Sequence, residues 1–165
     1  MIRAIIVMGV TGSGKSTLGE AIAHALGWQF VEGDTLHPPA NIKKMVAGIP
    51  LNDEDRIPFL KNVAKALAQS RPRGIVVSCS ALKRSYRDQI RAADPDALFI
   101  LPLLTRAQLQ ERLKGRAGHF MPASLLDSQL ATLEPPGVDE LSIQIPGDEP
   151  VAAQVRRTLA IVPTH

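Results

Sequence analysis

The stretch that most limits what this chain can become is GVTGSGKST at residues 9–17, which follows the apolar run IRAIIVM. Gly9, Gly14, Lys15 and Ser16 satisfy the spacing G-x-x-x-x-G-K-[ST]. A loop of this kind leaves a strand, turns sharply and aims its main-chain N–H groups inward, which glycine permits. The helix that follows adds the partial positive charge of its N-terminus. The pattern predicts a phosphate cradle made of Gly9, Thr11, Gly12, Ser13, Gly14, Lys15, Ser16 and Thr17. Lys15 is expected to reach the β- and γ-phosphates of a nucleotide, and Ser16 to hold Mg²⁺. A glycine-rich turn without a ligand is the bland alternative, and the strand before and helix after argue against it.

A chain of 165 residues is expected to form one domain, residues 1–165, with one core. No apolar run approaches the roughly 20 residues of a membrane span. MIRAIIVMGV is too short for a signal peptide and runs straight into the glycine loop. The single Cys79 has no internal partner for a disulfide, and a cytoplasmic protein is expected. The net charge of +3 is spread along the chain, with only four Phe, one Tyr and one Trp. A nucleic-acid surface needs a basic stripe with stacking aromatics, so no nucleic-acid partner is expected. Basic side chains gathered around a small anionic substrate fit better.

Residues 2–8 read as a buried strand, and 15–26 as a helix with Leu18, Ile22, Ala25 and Leu26 on one face and Gly27 as its stop. WQFVEGD reads as a second strand ending at Asp34, and HPPANIKKMVAG as a turn and short helix. Asn52 caps a helix carrying Leu60, Val63, Ala64 and Leu67 on one face. GIVVSCS, ALFILPL and LSIQI are three further strands. Between them lie a basic helix stopped at Pro95 and a helix capped by Thr105 with Gln108 three residues on. A closing helix, PVAAQVRRTLAIV, follows the last strand. This alternation predicts a parallel sheet with helices on both faces. The segment at about 114–136 breaks it, as a packed helical hairpin or a lid.

A phosphate cradle alone does not choose between kinase, hydrolase and switch. The N-K-x-D motif of a guanine-nucleotide switch is missing. The third strand ends VVSCS, without the acid expected of a motor or transporter ATPase. Small-molecule phosphoryl transfer is favoured on these residues alone.

MGVTGSGKST, GDTLHPPANIKKM, PLNDEDRIPFL, CSALKRSYRDQIR and RLKGRAGHFMP occur in this order. Together they resemble the gluconate kinase family, P-loop kinases related to shikimate kinase and the nucleoside monophosphate kinases. The resemblance covers nearly the whole chain, and GDxLHPxxNxxKM and LNDxDRxPxL are its specific motifs. It implies a nucleoside monophosphate kinase-type fold with strand order 2-3-1-4-5 and a helical lid. It also implies transfer of the ATP γ-phosphoryl group to the 6-hydroxyl of D-gluconate with Mg²⁺, in a cytoplasmic homodimer. Two rivals stay open: a kinase for another small hydroxy acid such as shikimate, and an ATP-binding gluconate sensor without turnover.

The resemblance sets Asp34 beside the acceptor hydroxyl, as proton acceptor or orienter; a turn or capping Asp is the alternative. His37 follows in the same motif. Arg56 lies in the first turn of its helix, a poor place for a cation unless it holds an anion. It is expected to clamp the substrate carboxylate, against the alternative of a surface salt bridge with Asp53 or Asp55. Ser80, Lys83 and Arg87 stand where the relatives carry a substrate loop, with Lys83 and Arg87 four residues apart on one helix face. Arg112 and Arg116 fall at the lid, where relatives use one arginine over the adenine and another on the moving phosphoryl group. His119 is a further candidate for the substrate. Without an acid after the third strand, the second Mg²⁺ contact is expected from water, or from Asp34 through water.

Overall fold

The computed structural model describes residues 1–114 and 123–163. Five strands, β1 (Ala4–Val7), β2 (Gln29–Glu32), β3 (Ile75–Ser78), β4 (Leu98–Leu103) and β5 (Ser142–Pro146), form one sheet. All four pairings are parallel and the order is β2-β3-β1-β4-β5, as the resemblance implied. β1 lies at the centre, with Ile6 opposite Val77 on one side and Phe99 on the other.

A strand covered on both faces must be apolar at every position, and Ala4, Ile5, Ile6 and Val7 are each fully buried. Their alternation divides the core. Ile5 and Val7 point into a cluster with Leu18 and Ile22 of α1 (Lys15–Leu26), joined by Val155 of α7 (Val151–Leu159). Ala4 and Ile6 point the other way. They meet Leu60, Val63 and Leu67 of α3 (Asp53–Ser70) and Ile90 of α4 (Arg84–Ala93). Truncating one of these to alanine typically costs about 2–5 kcal/mol.

The helix ends follow local chemistry. Gly27 closes α1 at φ 68° and sends its N–H back to the last turn. Asn52 accepts from the N–H of Asp55, whose carboxylate accepts from the N–H of Asn52, a reciprocal box at the start of α3. Thr105 and Gln108 close the same box before α5 (Arg106–Lys114).

The structure departs from expectation at the end of the second strand. β2 ends at Glu32, and Gly33–Leu36 coil into one 3₁₀ turn before α2 (Pro39–Val46). A side chain at Gly33 would put its Cβ 1.9 Å from the carbonyl oxygen of Ser78, so the chain leaves the sheet where only glycine fits. Asp34 therefore sits in that turn and not on the strand. For the segment at 114–136 the expectation left a packed hairpin or a lid open. Its second half forms α6 (Ala123–Thr132), and Leu126 is fully buried against Val10, Leu82 and Leu109. α6 is thus part of the wall behind the glycine loop.

Candidate active site

The carboxyl ends of β1, β2 and β3 open into a cavity of about 560 Å³. Ligands approach open parallel sheets at this edge. The glycine loop forms its floor. Gly12 and Gly14 take φ of 82° and 83°, the left-handed region that lets the loop turn its amides inward and start α1. Ser13 is buried, and its hydroxyl donates 2.7 Å to the carbonyl of Val10 inside the loop. Lys15 Nζ donates 3.0 Å to the same carbonyl. Thr11, Gly12, Gly14, Lys15 and Ser16 line the cavity. Gly9 lies behind it, its N–H on the carbonyl of Ser80, and Thr17 is exposed on the outer side of α1.

The carboxylate that the third strand lacks stands at the end of the second, beside Ser16. Glu32, the last residue of β2, accepts through Oε2 from the Ser16 hydroxyl and through Oε1 from Ser78 Oγ at 2.7 Å. Ser78 Oγ in turn accepts from the N–H of Gly33 at 3.3 Å. A hydroxyl and a carboxylate are hard oxygen donors, the kind Mg²⁺ prefers. Among the described residues no group of three His, Cys, Asp or Glu gathers to hold an ion unaided. The pair therefore fits an ion that takes its remaining ligands from phosphate and water, as Mg²⁺ does.

The opposite wall holds the acceptor-side candidates. Asp34 and His37 come from the 3₁₀ turn and its end, Arg56 from α3, and Ser80 and Lys83 from the connection after β3. The salt-bridge alternative for Arg56 does not form. Asp55 is taken by Lys44 at 2.7 Å, and Asp53 by Tyr86 Oη at 2.5 Å and Lys83 Nζ at 3.1 Å. Arg56 instead lies over the Tyr86 ring, 5.1 Å from its centroid. Its Nε is buried with no hydrogen-bond partner among the described residues. Its Nη2 has only a 3.5 Å contact to the Leu51 carbonyl. A half-buried guanidinium with an unused donor, facing the cavity, is suited to an incoming anion. His37 stacks on Phe59 with ring centroids 3.8 Å apart. Burial lowers its pKa and outweighs the upward pull of Asp34, with a smaller downward push from the Arg56 charge.

Among the acceptor-side candidates, Arg87 lies elsewhere. Arg87 has no exposed surface and does not line the cavity. Its Nε and Nη2 donate to Glu140 at 2.8 and 3.2 Å, and its Nη1 donates to the carbonyls of Ala81 and Leu82. Ala81 holds φ at 44°, unusual for a residue with a side chain. Arg87 thus pins the strained connection that carries Ser80 and Lys83, and its charge is already matched. Sequence spacing also missed Gln129. Its Oε1, carried on α6, accepts from the N–H of Thr11 at 2.7 Å and ties the back wall to the glycine loop. Arg116 and His119 lie outside the described residues.

A family model described as "AAA domain" matches residues 5–136. A curated relative, the gluconokinase of Gluconobacter oxydans (strain 621H), is 50% identical over 149 residues, covering 89% of this chain and 84% of its own. The thermoresistant gluconokinase of Escherichia coli (strain K12) is 40% identical over 160 residues, covering 95% and 91%. The chain belongs to the gluconokinase family. A crystal structure of a gluconokinase from Sinorhizobium meliloti 1021 superposes with a TM-score of 0.88 at 52% identity, over 95% of this chain and 89% of that one.

Within this gluconokinase-family fold, the last element of the site is Arg112. Its Nη2 donates 2.8 Å to the carbonyl of Gly147, in the connection after β5, and its Nη1 lies beside Gly14. Arg112 therefore bridges the end of the glycine loop and the IPGDEP turn, outside the main cavity.

Proposed function

We propose that this chain is an ATP-dependent gluconokinase, transferring the γ-phosphoryl group to the 6-hydroxyl of D-gluconate to give 6-phosphogluconate and ADP. The observation that carries the reading is the single cavity shared by the phosphate loop, Asp34 and the uncommitted guanidinium of Arg56. Such a space takes a nucleotide phosphate at one end and a carboxylate at the other. The names of the curated relatives supply the sugar acid that fits.

In this reading the glycine-loop amides and Lys15 hold the phosphates, and Arg112 marks the path toward the base. Ser16 and Glu32 hold Mg²⁺, which when bound neutralises charge on the β- and γ-phosphoryl oxygens. Asp34 orients the 6-hydroxyl and accepts its proton. Arg56 clamps the carboxylate in a fork, while His37, Ser80 and Lys83 face the polyol. Of the segment at 114–136, α6 stays as the wall behind the glycine loop, and the part before it serves as the lid, with Arg116 on the moving phosphoryl group and His119 toward the substrate. Closure excludes water, the competing acceptor. The reading extends to a cytoplasmic homodimer. It draws support from the family resemblance, the buried Cys79 and the lack, among the described residues, of a helix long and apolar enough to cross a membrane.

A coupled ADP-release assay across gluconate, glucose, shikimate and AMP tests it. Release with gluconate well above the others is expected. Nucleotide binding with no release on any of them would leave a sensor. Light scattering in solution tests the dimer.

A further inference from the structure

His37 meets the cavity with one ring nitrogen already committed. Asn41, four residues on in α2, is buried to 2% exposure. Its Nδ2 donates 2.7 Å to the main-chain carbonyl of Asp55 and lies 3.2 Å from His37 Nδ1. A main-chain carbonyl can only accept. The contact with Asp55 therefore settles which end of the amide points there, since the reverse orientation would press two acceptors together. The second hydrogen of the same Nδ2 faces His37 Nδ1, which must accept it with a lone pair. A neutral imidazole carries one proton, so that proton sits on Nε2.

The surroundings hold this state. Phe59 stacks on the ring at an interplanar angle of 12°, opposing its rotation. The charged groups acting on the imidazole are Asp34 in its own turn and Arg56 on α3. The carboxylate of Asp55 is directed to Lys44 and to the N–H of Asn52.

We propose that Asn41 is the positioning residue that fixes His37 as the Nε2–H tautomer, making the imidazole a hydrogen-bond donor to an acceptor oxygen of the bound sugar acid. Two consequences follow. His37 cannot take the proton of the acceptor hydroxyl, because one nitrogen is protonated and the other is occupied by Asn41. Proton acceptance then falls to Asp34. The site also discriminates by polarity at this point: a substrate presenting only a donor there leaves two N–H groups facing each other. The identity of the ligand rests on the gluconokinase reading; the tautomer does not.

The test has two arms. The ¹⁵N shifts of the imidazoles report which nitrogen is protonated, with the His37→Gln spectrum assigning the signal. At neutral pH the ligand-free protein should show Nδ1 bare and Nε2 protonated. Asn41→Asp, which turns the donor into an acceptor at similar size, should move the proton to Nδ1. A protonated Nδ1 in the unsubstituted protein, as tautomer or imidazolium, overturns the proposal without reference to any substrate. In the kinetic arm, Asn41→Leu should raise KM for gluconate about tenfold and leave KM for ATP within about twofold. A glutamine at position 37 carries its own amide N–H near the place of Nε2 and has no tautomer to set. In the His37→Gln background, Asn41→Leu should therefore add less than about twofold. A full tenfold loss there makes Asn41 a structural tie between α2 and α3, and the proposal fails. No turnover of gluconate by the unsubstituted protein would sink the functional reading instead, with the tautomer still decided by the spectra.

Discussion

The hydroxyl of Ser16 donates to the carboxylate of Glu32, linking the phosphate loop to the end of the second strand. Ser78, at the end of the third strand, donates to the other oxygen of the same carboxylate at 2.7 Å. The ends of the second and third strands and the first turn of α1 thus meet at one acid. Its two hydrogen bonds hold the carboxylate in place before any ion arrives, and that preorganisation lowers the cost of binding one.

Glu32→Gln keeps the size of the side chain and removes its charge. Supporting groups around a metal typically change affinity about 10–100-fold. The variant should need a correspondingly higher Mg²⁺ concentration for half-maximal rate, with a nearly unchanged melting temperature. An unaltered Mg²⁺ titration would show that the carboxylate only braces the loop.

The strands, the helices, the cap at Asn52 and the box at Thr105 were legible because each depends on neighbours a few residues away, whereas the strand order came from the resemblance. The glycine loop was legible for the same reason. What escaped was long-range. Nothing nearby in the sequence marked Glu32, which gains its partners only when parallel pairing sets β2 beside β3 and Ser16 comes across. Arg87 shared a helix face with Lys83 by spacing, yet Glu140, 53 residues further on, claims its guanidinium. Gln129 reaches the N–H of Thr11 across 118 residues. Periodicity shows which face a residue occupies, but not who stands opposite.

Asp34→Asn should lower kcat for gluconate phosphorylation by about 10²–10⁴-fold, the usual worth of a positioned general base. KM for ATP should change little, because Asp34 and Arg56 share the acceptor side of the cavity. Steady-state kinetics with each substrate varied separately checks this. Weakened ATP binding at unchanged kcat would move Asp34 to the nucleotide side.

The Arg87–Glu140 pair predicts a pH dependence of stability. Burial pushes the Glu140 carboxyl up, but hydrogen bonds from Arg87, the N–H of Gly137 and Arg91 outweigh it and bring the pKa to about 2, against 4.5 ordinarily. The folded state binds this proton less readily than the unfolded chain. The stabilisation is present in full above pH 4.5 and is lost as pH falls through 2. A shift of this size corresponds to about 3 kcal/mol, as an order of magnitude. Glu140→Gln should melt well below the unsubstituted protein at pH 7, and the two should draw together as pH falls toward 2. A gap that stays constant across acid pH would mean that the ion pair contributes no linkage.

In the proposed function Arg56 is the residue that tells gluconate from glucose. The two share the hydroxyl to be phosphorylated, so the carboxylate is the distinguishing handle. Arg56 offers a buried Nε without a partner, and the two nearby acids that might have neutralised it are bound to Lys44, Lys83 and Tyr86. Losing one partner of a buried charged pair typically costs about 2–5 kcal/mol, roughly 30- to several-thousand-fold. Arg56→Ala should raise KM for gluconate by at least the lower figure and leave KM for ATP nearly unchanged. Preference over glucose should shrink in step, because that preference depends on the same charge. Arg56→Lys should restore only part of the loss, since a compact ammonium cannot reproduce the two-pronged contact. Retention of both the gluconate KM and the preference in Arg56→Ala would shift the clamp to Lys83, whose ammonium would then have to leave Asp53 to reach the substrate.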